Sequence, residues 1–488
     1  MGIAYIAGLL EHKGYEVQVI DLLPTRASPE TIKCKLDEYQ PDIVGITSVT
    51  LNYPAASAIL RYCKQLNQDL ITVIGGPHVT LSAEATLREA PWIDVVVRGE
   101  GEMTMLDIAS GKALARIPGL AYRENGNVRQ TADRPLMPDL DNLPLPARHL
   151  FPLARYLALE SACGVIAGRG CPFNCIFCVG SRMGGRKVRF REPRLVVDEI
   201  EKCLAYGFEE IHVQNDLFTL NHRHLNAFCA EILSRGLEFR WSAFARVDTV
   251  NREVLRRMRE AGCTGLCFGI ESGVQEVLDR IKKKITLEQV RNAVRMANDM
   301  GFNVQAAFIL GLPGESRETL ARTREFAQEL GVFYGLHVLA PFPASEVREK
   351  ASEFGIEILT DDWTKYDANT PVTRTRGAAP EDIISELHRY YIGLRLTQDD
   401  LAGLRSDRAA IEKDKRRAPL AWALLKNDVI ENTGPVPAIS DPLSDLSTRL
   451  AAILPYPPKQ IENTVLRWWD QGLLESSFND GCFTWSWK

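Results

Sequence analysis

Between residues 15 and 130, short apolar runs alternate with amphipathic stretches. The runs YEVQVID, DIVGIT, LITVIGG and DVVVRG have the apolar, β-branched character of strands. The stretches 29–39, 54–67, 81–89 and 101–110 carry the three-to-four-residue apolar repeat of helices. Such alternation predicts a parallel, doubly wound α/β unit over residues 1–131. Within it, 117–131 predicts a hairpin turning at Asn125-Gly126, two residue types that tolerate the left-handed backbone of a tight turn.

Pro135, Pro138, Pro144, Pro146 and Pro152 break the pattern and mark 132–160 as a linker. A second α/β series fills 161–350, with strands predicted at GVIAG, EIHVQ, FRWSAF, GLCFGI, VQAAFIL and YGLHVL. Six strands with helices between them predict an open or closed β/α barrel, whose functional residues gather at the C-terminal strand ends. Residues 351–434 form a predicted helical extension, charged from 380 to 430 and including Arg405 to Arg417. The segment 435–488 reads as a helix in PPKQIENTVLRWWDQGLLE, then a hairpin turning at Asp480-Gly481; that order resembles a winged-helix module.

Composition narrows the class. The 488 residues are 45% hydrophobic and 25% charged, with a net charge of −5, so no general attraction to nucleic acid is expected. No stretch approaches the ~18–20 apolar residues of a membrane span. The opening MGIAYIAGLLEHKG lacks a basic region and a cleavage site, so a cytosolic location is expected. Eleven cysteines are too sparse for a disulfide scaffold, and eight of them are scattered as buried small hydrophobes would be.

The other three form GRGCPFNCIFCVG, residues 168–180, spaced C-x3-C-x2-C on a loop between a strand and a helix. A structural zinc site is four-coordinate, and a ferredoxin cluster takes four cysteines. Three thiolates on a four-iron cluster leave one iron open to bind a small molecule. Zinc with a distant fourth ligand such as Cys163 is the alternative reading. With Phe177 before the third cysteine, the motif resembles the radical S-adenosylmethionine (SAM) superfamily. The resemblance implies a 4Fe–4S cluster on Cys171, Cys175 and Cys178, and reductive cleavage of SAM to a 5′-deoxyadenosyl radical. It also implies SAM contacts in chain order. Asp216, in a DD-x-F-like QNDLF whose first Asp is Asn215, lies near the SAM amino group. Arg246 meets its carboxylate, Glu271 of GIESG meets the ribose with Ser272 beside it as a further cofactor-binding residue, and Gly311 of GLPGES passes the adenine. APFPAS at 340–345 departs from the usual sixth-strand end at Ala344 and Ser345.

The first unit resembles the Rossmann-like (flavodoxin-like) cobalamin-binding domain that precedes many such cores. Thr47 and Ser48 of TSVT, and Gly75 and Gly76 of GGPH, are then expected around the cofactor, because small residues let backbone approach a macrocycle. No D-x-H-x-x-G cobalt-ligand motif is present, and His78 is expected to be structural. The pattern starts at a helix rather than at the family's first strand, so YEVQVI is expected to lack a partner and cobalamin binding to be weak. The reaction this implies is cobalamin-dependent methylation of an unactivated carbon on a small-molecule or peptide substrate, with flavodoxin or ferredoxin as reductant. Radical cyclisation or rearrangement, as in anaerobic porphyrin cyclases, is one alternative. A cobalamin or iron–sulfur sensor with a winged-helix module is another. Trp363 and Tyr366 of DDWTKYDANTPV are expected as core aromatics ahead of substrate contacts.

Overall fold

Apolar β-branched runs build the first sheet, and its inner strands at 71–75 and 95–97 are the most buried. The computed structural model describes residues 1–25, 28–390, 420–421, 424–425, 429–433, 436–437, 442–479 and 482–488. The strands are β1 (Ile43–Thr47), β2 (Ile71–Gly75), β3 (Val95–Val97), β4 (Leu120–Glu124) and β5 (Asn127–Gln130). They lie in sequence order, parallel from β1 to β3 and antiparallel from β3 to β5. The β4–β5 turn places Asn125 at φ 50° and Gly126 at φ 78°, the left-handed pair expected there. Helices cover Gly2–His12, Pro29–Tyr39, Tyr53–Leu66 and Glu102–Ala109, while the predicted 81–89 helix is split into Pro77–Leu81 and Ala83–Glu89.

YEVQVID does not join this sheet. Tyr15, Val17 and Val19 are half-buried while Glu16, Gln18 and Ile20 are exposed, so the side-chain alternation of a strand persists. Yet among the described residues no backbone hydrogen bond links 16–21 to a strand. A strand is held by its ladder, and apolar alternation without a neighbour leaves only an extended segment. The sheet therefore ends at β1.

The second sheet contains β6 (Cys163–Val165), β9 (Glu210–Val213), β10 (Arg240–Ala245), β11 (Cys263–Glu271), β12 (Asn303–Leu310) and β13 (Phe333–Val338), with a short antiparallel ribbon of β7 (Gly168–Arg169) and β8 (Arg189–Phe190) beside it. All six strands run parallel in sequence order, and β6 does not pair with β13, so the barrel is open. On β10, Trp241, Ala243 and Ala245 turn toward the helices and are buried; Phe244 faces the concave side and is 49% exposed. Phe218, Phe228 and Trp241 pack edge to face behind the sheet. Asn251, Thr286 and Ser316 cap the helices that follow β10, β11 and β12, so each crossover starts at a fixed residue.

Beyond the barrel, the expected helical extension begins instead with a hairpin, β14 (Ile356–Ile358) and β15 (Thr373–Thr375), before a helix at 380–390. Arg405 to Arg417 lie outside the described residues. At the C-terminus, helices Pro442–Ile453 and Pro458–Asp470 precede β17 (Leu474–Asn479) and β18 (Cys482–Trp487), which is flanked by β16 (Val436–Pro437). The turn residues Asp480 and Gly481 lie outside the described residues. Trp468 and Trp485 join Ala154 and Ala158 of the linker in one core, which seats this module on residues 153–158. No described helix is long and apolar enough to cross a membrane. Of the scattered cysteines, Cys63, Cys163, Cys203, Cys229 and Cys263 are buried; Cys34 is exposed, and Cys267 and Cys482 are half-buried.

The linker and the first helix meet the barrel through buried charge. Glu199 is fully buried; it accepts from Tyr5 Oη at 2.9 Å, Arg148 Nη2 at 2.6 Å and Arg191 Nη1 at 2.5 Å. Both arginines also donate to backbone carbonyls, of Gly164 and Ile166. Removing a buried carboxylate from two guanidinium groups leaves charge unpaired, which costs about 3–5 kcal/mol. Glu199→Ala is expected to destabilise the chain by that amount in urea titration, and Tyr5→Phe by only about 1 kcal/mol. Equal midpoints for wild type and Glu199→Ala would show that the network does not bear on stability.

Candidate functional site

The pairing of β7 with β8 closes the loop that carries Cys171, Cys175 and Cys178. Gly170, at φ 104°, donates its N–H to Asp216 Oδ2 at 2.8 Å, and Cys171 N donates to the Gly185 carbonyl at 3.0 Å. Ile176 is buried, and its N–H binds the Ile281 carbonyl at 3.2 Å. Phe177 packs its ring on the barrel core. The three thiols are free, with Cys171 and Cys175 half-buried and Cys178 exposed. Cys178 Sγ accepts from Gly180 N at 3.3 Å. Burial pushes the Cys171 and Cys175 thiols up; for Cys175, the charges of Lys283 and Arg246 act the other way. No three His, Cys, Asp or Glu side chains among the described residues are arranged to hold a single metal ion. A polynuclear cluster instead takes one thiolate per iron, and three free thiols on one pinned loop suit that chemistry.

The strand ends bring most of the expected residues to this loop. Asp216 is exposed beside Gly170, Gly180 and Gly184. Arg246 stacks on Phe173 of the cysteine loop, with its guanidinium 3.6 Å from the ring centroid. Its Nε and Nη2 bind Asp248 at 2.9 and 3.0 Å, so Nη1 is the part of the fork left for a ligand. Glu271 ends β11 at a bulge with φ 76°, and accepts from Lys283 Nζ at 2.6 Å. Ser272 departs from expectation: it is fully buried, with Oγ 3.2 Å from Thr323 Oγ1, and it ties the strand end to a helix. Gly311, at φ 85°, opens a loop whose N–H groups are drawn inward onto Glu315. Asn215, where the motif's first Asp would stand, is buried with neither amide atom paired.

Facing the cysteine loop is the glycine-rich edge of the first sheet. Thr47, Gly75 and Gly76 line a cavity of about 900 Å3 whose far wall includes Arg169, Gly180, Gly184 and Asp216. Ser48 is buried behind that edge, with its N–H on the Gly75 carbonyl at 2.9 Å. Gly76 has φ 104°, and a Cβ there would drive into the Ser48 carbonyl oxygen, so a side chain could enter only by displacing the backbone of this edge. The residues thus fit a large planar cofactor. His78 is a packed side chain: it stacks on Tyr53 at 4.4 Å and meets Trp363 edge-on at 5.0 Å. Burial, helped by the Arg348 charge, pushes its pKa down to about 4. Tyr366 is buried too, with its Oη on Arg348 and the Thr360 carbonyl.

Sequence reasoning missed the charges that join the two units beside the cavity. Glu100 of the first unit binds Arg189 at 2.9 and 3.0 Å and Arg169 at 3.1 Å, and Glu102 binds Arg169 at 2.6 Å. The guanidinium groups hold the Glu100 carboxyl below the usual range against its burial. No motif marks such pairs, since each partner lies about 70–90 positions from the other. Lys283 was likewise one of three successive lysines, with nothing in the sequence to single it out.

An open six-stranded parallel barrel with a three-cysteine loop at its first strand, joined to a Rossmann-like unit across one cavity, defines the class as a two-unit α/β protein with a candidate cluster site. The Radical SAM superfamily model matches residues 165–327, and the B12 binding domain model matches 1–109. A methyltransferase of Pyrococcus horikoshii, itself uncharacterized, is 36% identical over 81% of this chain and 87% of its own. The anaerobic magnesium-protoporphyrin IX monomethyl ester cyclase of Rubrivivax gelatinosus is 31% identical over 81% of this chain and 74% of its own. The structure of the radical SAM methyltransferase TsrM from Kitasatospora setae, with cobalamin and a [4Fe-4S] cluster bound, shares the fold at a TM-score of 0.65. It is 21% identical, over 78% of this chain and 81% of that one. The chain belongs to the radical SAM superfamily, in the branch that carries a B12-binding domain. Its cofactors are a 4Fe–4S cluster, SAM and cobalamin.

Glu315 makes a pH-dependent contribution to this architecture. Burial pushes its carboxyl up to about 8, although the Gly311 and Leu312 N–H groups on Oε2 pull it down; Oε1 is buried without a partner. In the unfolded chain the group ionises near its ordinary ~4.3. Between those values the folded chain holds the extra proton, so stability falls as pH rises through that window. Glu315→Gln removes the titration. Urea midpoints measured from pH 5 to pH 8 are expected to fall for wild type and to fall less for the variant.

Proposed function

We propose that this chain methylates an unactivated carbon of a small-molecule or peptide substrate. The observation that carries the reading is the single cavity, which runs from the glycine edge at Thr47, Gly75 and Gly76 to Asp216 and the cysteine loop. A methyl carrier seated on that edge would face the SAM site directly. When bound, the cluster supplies the electron that cleaves SAM, and cobalamin supplies the methyl group.

The chain's own residues position these groups. Cys171, Cys175 and Cys178 would hold three irons and leave the fourth for SAM. Asp216 would accept from the SAM amino group, while the free Nη1 of Arg246 would bind its carboxylate. Glu271 would meet the ribose hydroxyls, and the Gly311 loop would pass the adenine. Phe177 would brace the cysteine loop from the barrel side. An acidic one-electron carrier such as flavodoxin or ferredoxin would serve as reductant. Radical cyclisation is the second reading, supported by the 31% identity to the magnesium-protoporphyrin ester cyclase.

Anaerobic reconstitution with iron, sulfide and cobalamin, followed by SAM and reductant, separates these readings. Methylation yields 5′-deoxyadenosine and S-adenosylhomocysteine together; cyclisation yields deoxyadenosine alone. The Cys171/Cys175/Cys178→Ala variant is expected to lose its iron and both products. Neither product from a wild-type chain with a full cluster would argue against a catalytic role. Gly76→Ala is expected to lower cobalamin retention roughly tenfold, through strain and displacement of the edge backbone, while iron content stays at the wild-type level. Cobalamin absorbance after gel filtration measures the first, and unchanged retention would remove Gly76 from the site.

A further inference from the structure

Three lysines in a row, Lys282, Lys283 and Lys284, follow the helix Gln275–Arg280. Lys282 and Lys284 are exposed and both sit at φ 57°, a left-handed backbone that side chains with a Cβ avoid. Two such residues flanking a third is strain held in place by its surroundings. Its result is to turn Lys283 inward, where it is 5% exposed. A buried lysine needs a partner, and Lys283 Nζ has Glu271 Oε1 at 2.6 Å.

The place it reaches is specific. A Cβ on Gly269 would meet Glu271 Oε1 at 2.7 Å and Lys283 Nζ at 3.2 Å, so the pair lies directly over the β11 backbone at Gly269. The same turn is fastened to the cysteine loop and to Arg246. Ile176 N donates to the Ile281 carbonyl at 3.2 Å, Cys175 Sγ lies 4.0 Å from the Lys282 carbonyl, and Arg246 Nη2 donates to the Lys283 carbonyl at 2.8 Å.

We propose that Lys283 is a positioning residue of the SAM site, whose ammonium aims the Glu271 carboxylate and sets a buried positive charge beside the cluster thiolates. This rests on the assignment of Cys171, Cys175, Cys178 and Glu271 above. A positive charge at that place favours the more negative, reduced cluster, and so raises its reduction potential. The same ammonium fixes the Glu271 rotamer, so that the carboxylate meets the ribose without first being ordered.

The test uses the full chain, reconstituted anaerobically with iron and sulfide, and three variants: Lys283→Met, Lys283→Arg and Glu271→Gln. Iron content, the midpoint potential from an EPR-monitored titration, and SAM affinity from the SAM-induced change in the EPR signal are measured. Lys283→Met is expected to shift the potential negative and weaken SAM roughly tenfold. Glu271→Gln leaves the ammonium unneutralised, and is expected to shift the potential the opposite way while also weakening SAM. Lys283→Arg is expected to keep the potential near that of wild type. A purely structural ion pair would loosen in both variants and move the potential in one direction, or not at all; either result overturns the proposal. If Lys283→Met assembles no cluster, Glu271→Gln decides alone, and a potential at or below wild type overturns it. A wild-type chain that takes up no cluster would sink the cluster assignment together with this inference, whereas a normal wild-type cluster with unmoved potentials sinks the inference alone.

Discussion

Ion pairs buried between two α/β units set the geometry of this protein. The two units share the cavity: the first helix, residues 15–19 and the edge of the first sheet form most of it, and Ile166, Arg169, Gly180, Met183, Gly184 and Asp216 of the barrel close it. Glu199 joins Tyr5 of the first helix to Arg148 and Arg191, and Glu100 joins the first unit to Arg169 and Arg189. Long unlike charges in a dry interface accept few alternative arrangements, because each displaced partner leaves a charge unpaired. Apolar packing alone would let the units slide. The forked guanidinium contacts fix both distance and rotation.

The same logic runs into the barrel. Arg169 and Arg189 lie on the two strands that close the cysteine loop, so the residues holding the first unit also hold the cluster loop. On the other side, the 281–283 turn grips that loop through Ile176 and grips Arg246 through a carbonyl. The loop is thus clamped between an inter-unit salt network and a strained turn. A loop that must present three thiols to a cluster gains by being held before the cluster arrives, since the ordering is then already complete.

Legibility in the sequence followed the range of each interaction. Strand and helix periods are local, and all six barrel strands and the Asn125-Gly126 hairpin stand where the pattern put them. The cysteine spacing is local too, and a short loop keeps those residues together. YEVQVID failed because alternation records which face is apolar and says nothing of whether a neighbour is present to pair with. Ser272 sits one residue from Glu271 on a strand end, yet successive strand residues face opposite ways, and it points to Thr323. Glu100, Arg189 and Lys283 were invisible because a long-range ion pair leaves no periodic trace.

The charges also explain how an acidic chain can house electron-rich chemistry. Glu100 and Glu102 line the cavity and would repel an anionic cofactor or a cluster gaining an electron. Each instead meets a guanidinium of the barrel, so at these two positions the wall presents neutral pairs. Glu271, outside that wall, also meets a buried cation, Lys283. Asp216 differs: it receives only the Gly170 N–H and stays exposed to the cavity. Glu16 and Asp42 line the first unit's end of the cavity, whereas at the barrel end Glu100 and Glu102 are paired with buried cations and Asp216 keeps its charge facing the cavity. A ligand with an ammonium group would therefore orient toward Asp216, which makes the unpaired charge, rather than the number of acidic residues, the feature that sets direction within the site.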